Sequence, residues 1–257
     1  MKPVTNDPPI IEVENLYFSY NGEPALANAS FRVEEKDFLA IIGPNGGGKS
    51  TLVKLILSLL EPDSGTIRIH GQPPSKMAHC FGYVPQDINI NIDFPITVLD
   101  VVLMGRLRQG GRFSMSRKDR YKALDVMETL GIRGFAERKI KELSAGQRER
   151  VFIARALAAN PEILILDEPT ASVDTEGKTE LYYLLRELNK TKTVIVVSHD
   201  LMIVSSYVKS VACVNQTVHY HPNNEITGAM IEMGYQCPVE LIAHGQPHRI
   251  LKTHEDL

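Results

Sequence analysis

The 257-residue chain is poor in cysteine, in net charge and in long apolar runs. Its three cysteines, Cys80, Cys213 and Cys237, lie far apart, and none sits in a Cys-x-x-Cys pair. An odd, scattered set argues against a disulfide framework and fits a reducing cytoplasm. A formal net charge of −3 leaves no basic footprint, so no nucleic-acid partner is expected. The longest apolar stretches, such as LVKLILSLL at 52–60, fall far short of the roughly 20 residues needed to cross a bilayer. The opening MKPVTNDPPI has no apolar h-region, so no secretory signal is read. Glycine (18) and proline (15) are ordinary in number, which excludes a collagenous or low-complexity chain. The length is ample for one hydrophobic core, or one core plus a lobe, without a disulfide or metal staple.

Hydrophobic periodicity then organises the chain. Residues 10–18 (IIEVENLYF) and 30–34 (SFRVE) read as strands, with a turn at Asn21-Gly22 between them. DFLAIIG (37–43) is a short continuous apolar run ending in glycine, the pattern of a buried parallel strand. Behind it, Leu52, Leu55, Ile56, Leu59 and Leu60 recur at helical spacing, and Pro62 and Gly65 stop the helix. TIRIHG (66–71) alternates as a strand. From about 87 to 143 helix signals dominate, including Thr97 before VLDVVLMG and a Ser116/Asp119 capping box. A helix from about Ala145 to Asn160 follows. EILILD (162–167) and TVIVVS (193–198) are again buried-strand runs, separated by the helical stretch EGKTELYYLLRELNK. VACVNQTVHYH (211–221) is strand material and the tail is weakly patterned. This order gives an α/β fold with a largely parallel sheet, an N-terminal antiparallel β subdomain and an inserted helical lobe. The expected divisions are a core in two parts (1–86 and 144–221), a lobe at 87–143 and a C-terminal extension at 222–257.

Residues 43–50, GPNGGGKS, match G-x-x-x-x-G-K-[ST] between an apolar strand and an amphipathic helix. Glycines allow a tight wrap with several N–H groups pointing inward, and the helix start adds its own donors, so Gly43, Pro44, Asn45, Gly46, Gly47 and Gly48 form a phosphate cradle. Lys49 can reach the β and γ phosphates, Ser50 can ligate Mg²⁺ and Thr51 can support the α phosphate. ILILDEPT ends a buried strand with two carboxylates at the edge where α/β proteins bind ligands. Asp167 suits Mg²⁺, and Glu168 suits an attacking water.

At 143–147 the chain reads LSAGQ, followed directly by a helix. Here the sequence resembles the ATP-binding-cassette (ABC) ATPases, whose signature is LSGGQ; Ala145 is the one departure. Ser144 and Gln147 also satisfy a helix capping box, and both roles are compatible. Further elements match the family in order. Tyr20 corresponds to the aromatic that stacks on adenine, Gln86 to the Q-loop glutamine, Asp174 of SVD to the D-loop acid, and His199 of SHD to the switch histidine. The matches span residues 20 to 199.

The resemblance implies a head-to-tail homodimer formed on ATP binding, with each ATP held between one copy's phosphate loop and the other's Ser144, Gly146 and Gln147. It implies Glu168 as general base, His199 on the γ-phosphate, and Gln86 on Mg²⁺ and the lobe. One cassette without membrane spans resembles a separate ATPase subunit. Such a subunit lies on the inner face of the cell membrane, works with two integral membrane permease subunits and is served indirectly by a solute-binding protein. The stretches FPITVLDVVLMGR, VACVNQTVHYH and CPVELIAHGQPHRIL resemble the zinc/manganese-type importers in particular. Iron-siderophore or haem importer ATPases, and soluble non-transport cassette ATPases, remain the alternatives. His219 and His221 share a strand face, and His244 and His248 would share a helix face; with His254 they form no complete structural-zinc ligand set.

Overall fold

The computed structural model describes residues 8–86, 94–107, 115–170, 174–199 and 206–223, and the backbone of 241–244 and 246–249. The strands are β1 (Ile11–Tyr20), β2 (Glu23–Val33), β3 (Phe38–Ile42), β4 (Ser64–Ile69), β5 (Phe81–Val84), β6 (Ile163–Asp167), β7 (Thr193–Val197), β8 (Ser210–Asn215), β9 (Thr217–His221), β10 (Leu241–His244) and β11 (Gln246–Arg249). The helices are α1 (Lys49–Ile56), α2 (Val98–Met104), α3 (Arg117–Thr129), α4 (Ala145–Ala158) and α5 (Thr175–Asn189). Among the described residues no helix is long and apolar enough to cross a membrane.

A six-stranded sheet runs in the order β5-β6-β7-β3-β8-β9, parallel except for β9. All five residues of β3, of β6 and of β7 are buried. Alternation along the pleat explains their unbroken apolar runs, because each strand feeds two cores. Phe38, Ala40 and Ile42 face a cluster with helices α2 to α5, while Leu39 and Ile41 face a second cluster with α1 and the antiparallel sheet. That second sheet has the order β2-β1-β4. Its β1–β2 turn uses Asn21 (φ 50°) and Gly22 (φ 85°), the left-handed pair that matches hairpin twist.

The expected elements recur, with differences at their edges. β2 begins at Glu23 rather than residue 30, because it pairs with β1 as far as Tyr20↔Glu23. β5 was not anticipated; four residues are too few for a period to register. In the tail, β10 and β11 form an antiparallel hairpin, so His244 and His248 lie on facing strands and the helical spacing considered for them does not apply. Cys237, His254, Ser172, Val173 and Asp200 lie outside the described residues. Both capping boxes expected in the lobe and at Ser144 form, with Thr97 and Asp100 adding a third.

The helices α2, α3 and α4 are tied together just after the end of α2. Arg106 donates to Asp119 Oδ1 and to the Ala158 carbonyl, joining α2, α3 and α4. Beside it Gly105 lets α2 approach α4 so closely that an added Cβ would stand 1.9 Å from the Arg155 carbonyl oxygen. Gly105→Ala should therefore destabilise the fold by about 3 kcal/mol, read as a lower urea midpoint. An unchanged midpoint would contradict this packing.

Candidate nucleotide site

The phosphate loop sits at the carboxyl end of β3 and is shaped from behind by neighbouring backbone. Gly43 (φ 148°) and Gly48 (φ 101°) have no room for a side chain: an added Cβ would lie 2.0 Å from the Val214 carbonyl and 2.5 Å from that of Ala25. The turn between β8 and β9 braces the loop, since Gln216 N–H donates to the Gly47 carbonyl at 2.9 Å. Gly48 is the N-cap of α1 without a side-chain cap, so the first-turn N–H groups of α1 are open to an anion. Lys49 is 6% exposed and donates to the carbonyls of Gly43 and Pro44 at 3.0 and 2.8 Å. Burial lowers its pKa, against the charges of Glu168 and Asp167.

The neighbouring strand ends supply the chemistry. Asp167 closes β6, is 4% exposed and lies near the Ser50 hydroxyl, which favours its charged form. Its Oδ1 is buried without a hydrogen-bond partner. Burial, reinforced by Glu168, raises its pKa against the opposing pull of Ser50, Lys49 and Lys54. An orphaned carboxylate oxygen beside a hydroxyl is a donor set suited to a hard divalent cation such as Mg²⁺. Glu168 follows with φ 53°, a left-handed conformation uncommon for glutamate, and its N–H donates to the Val197 carbonyl at 3.1 Å. Its carboxylate is held from two sides. Gln86 Nε2 donates to Oε2 at 2.6 Å, and His199 Nε2 meets Oε1.

Ten of the residues expected to act thus meet in one open cavity of about 600 Å³: Tyr20, Asn45, Gly46, Gly48, Lys49, Ser50, Thr51, Gln86, Glu168 and His199. Gly43, Pro44, Gly47 and Asp167 belong to the same loop and strand end but do not line this cavity. Tyr20, 45% exposed, is fixed edge-on against Phe18 with a centroid separation of 4.8 Å. Ser144, Gly146, Gln147 and Asp174 are not part of this cavity. They line a second one of about 540 Å³, between the starts of α4 and α5 and the loop after α3.

The family model described as ABC transporter matches residues 26–171. The zinc uptake system ATP-binding protein ZurA of Listeria innocua is 42% identical over 215 residues, 81% of this chain and 84% of that protein. The manganese transport system ATP-binding protein MntB of Bacillus subtilis is 43% identical over 199 residues, 77% and 80% of the two chains. A solved dimeric ATP-binding cassette in a post-hydrolysis state, bound to ADP and Pi, is similar with a TM-score of 0.70 and 29% identity, covering 84% of this chain and 100% of that one.

Sequence reasoning missed Glu149, which lines the second cavity. The signal was its place one turn before Ile153, on the buried stripe of α4. One carboxylate oxygen has no partner, and burial pushes the group up to about 7 from 4.5. A raised carboxyl pKa means that the folded chain binds the proton more tightly. Stability therefore falls as pH rises from about 4.5 to 7. Glu149→Gln should be nearly neutral at pH 4 and stabilising by on the order of 2 kcal/mol at pH 8. Urea unfolding at both pH values checks this; an equal effect at both would contradict it.

Proposed function

The chain belongs to the ABC transporter ATPase family, and on that premise we propose that two copies pair head-to-tail around two ATP molecules to drive uptake of a zinc- or manganese-type ion. The observation that carries the pairing is the division of the site. One cavity holds what grips a triphosphate and activates water, while the Ser144 helix start opens into another. A second copy, turned about, brings the two halves together.

In this reading Tyr20 stacks on the adenine, the amides of 43–48 and Lys49 hold the phosphates, and Thr51 supports the α phosphate. Ser50, Asp167 and Gln86 would hold Mg²⁺, which when bound offsets phosphate charge. Glu168 takes the proton of the attacking water as its oxygen bonds to the γ-phosphorus, while the bond from that phosphorus to the β–γ bridging oxygen breaks and ADP and inorganic phosphate are released. His199 touches the γ-phosphate and holds that water. Ser144, Gly146 and Gln147 of the opposite copy stabilise the charge that develops, with Asp174 closing the seam. For Gln86 and His199 to serve these roles they must exchange their bonds to Glu168, which ties the onset of hydrolysis to ATP binding.

The cargo assignment is supported by relatives named for zinc uptake and manganese transport. Residues 1–86 and 144–221 act as the core, 87–143 as the lobe that receives two membrane permeases, and 222–257 as an extension. Within the lobe Val98, Val101 and Val102 are fully buried, whereas Phe94, Met104 and Leu107 are 60%, 45% and 52% exposed. Those exposed side chains suit docking of the permeases, which places the subunit on the inner face of the cell membrane. A solute-binding protein delivers the ion to the permeases and does not meet this chain.

Lys49→Ala should abolish ATP turnover, and Glu168→Gln should bind ATP while hydrolysing it about 10³-fold more slowly. Ser144→Arg should stop hydrolysis while leaving the monomer's ATP affinity within about twofold, because its target phosphate belongs to the other copy. Steady-state ATPase assays and nucleotide titration check these; parallel loss of affinity and turnover at Ser144 would mean that the serine acts within its own chain. For the cargo, Zn²⁺- or Mn²⁺-loaded binding protein should stimulate ATPase of the reconstituted transporter, and stimulation by a loaded siderophore- or haem-binding protein alone would overturn it.

A further inference from the structure

Ser144 and Asp174 each cap a helix, α4 and α5, and both helix starts open into the same cavity. Six residues beyond each cap the two helices are tied together. Arg150 Nη2 donates to Glu180 Oε2 at 2.5 Å, and Arg150 Nη1 reaches the Leu130 carbonyl at the end of α3 at 3.4 Å. With 1.5 Å of rise per residue, this tie stands about 9 Å from both caps. One guanidinium thus links the lobe helix α3, the Ser144 helix and the Asp174 helix.

We infer that Arg150 and Glu180 are positioning residues, which set the spacing between Ser144 and Asp174 so that both meet the opposite copy's nucleotide together. The inference rests on the paired-site reading above. The side chains are 28% and 58% exposed, and an ion pair this open to water contributes little to stability. Its planar guanidinium, by contrast, is divided between two acceptors, Nη2 on Glu180 and Nη1 on the Leu130 carbonyl, which fixes its direction as well as its distance. The contact at Leu130 adds a path by which a tilt of the lobe shifts the Ser144 helix relative to α5. Glu180 lines the second cavity and not the phosphate-loop cavity, so its loss leaves ATP binding by a single copy untouched.

The test uses the full chain with Glu180→Ala, Arg150→Ala and the exchanged pair Arg150→Glu/Glu180→Arg. Three quantities are read: ATP affinity of the monomer, kcat, and the Mg-ATP-dependent dimer in a Glu168→Gln background. Glu180→Ala should lower kcat roughly tenfold through misplacement, weaken the dimer, and leave monomer affinity and the urea midpoint nearly unchanged. The exchanged pair should recover most of the lost kcat. Wild-type kcat in Glu180→Ala, an equal loss of monomer affinity, or an exchanged pair no better than the single variants would each overturn the inference. Failure of the Glu168→Gln chain itself to dimerise would overturn the paired-site reading, and this inference with it; a normal dimer with an indifferent Glu180→Ala would overturn this inference alone.

Discussion

The parallel register of β3, β6 and β7 is the constraint on which the rest depends. Three strands buried along their whole length can satisfy their backbone groups only through neighbouring strands of the sheet. Once Phe38 pairs with Val194 and Ile163 with Thr193, their carboxyl ends align at one edge. The phosphate loop, Asp167 with Glu168, and His199 leave the sheet there. β5 pairs Val84 with Leu166 and delivers Gln86 to the same place. Four segments distant in sequence converge because the sheet permits no other alignment.

That convergence places charge where solvation is poor. Burial lowers the Lys49 pKa and raises that of Asp167, and one Asp167 oxygen is left without a partner. Each such group opposes folding, and each is suited to a ligand that supplies the missing charge. Glu168 carries a further cost in its left-handed backbone, which turns its carboxylate toward Gln86 and His199. Disfavoured charge and strain gather at the phosphate-binding edge, and the apolar strands behind it hold them in place.

Much of this was legible in the sequence because it is written locally. The phosphate loop has fixed spacing between an apolar strand and an amphipathic helix, and the Ser116 and Ser144 boxes need only four residues each. The alternate use of two cores made β3, β6 and β7 readable as unbroken apolar runs. What escaped notice was tertiary or short. β5 offers four residues and no period. The bonds from Gln86 and His199 to Glu168 join residues 82 and 31 positions apart. Glu149 and the Arg150–Glu180 tie lie in a charged stretch without a motif, and only the packing of α5 beside α4 brings Arg150 and Glu180 together. The separation of the site into two cavities was implied by family resemblance and could not have been read from spacing.

Hydrolysis depends on a γ-phosphate that one copy holds and the other encloses. The most direct measurement is a crystal structure of the Glu168→Gln chain with Mg-ATP. It should contain a head-to-tail pair, with Ser144 Oγ of the opposite copy about 3 Å from the γ-phosphate oxygens. A nucleotide enclosed by a single chain, or a pair in which Ser144 faces solvent, would contradict the account.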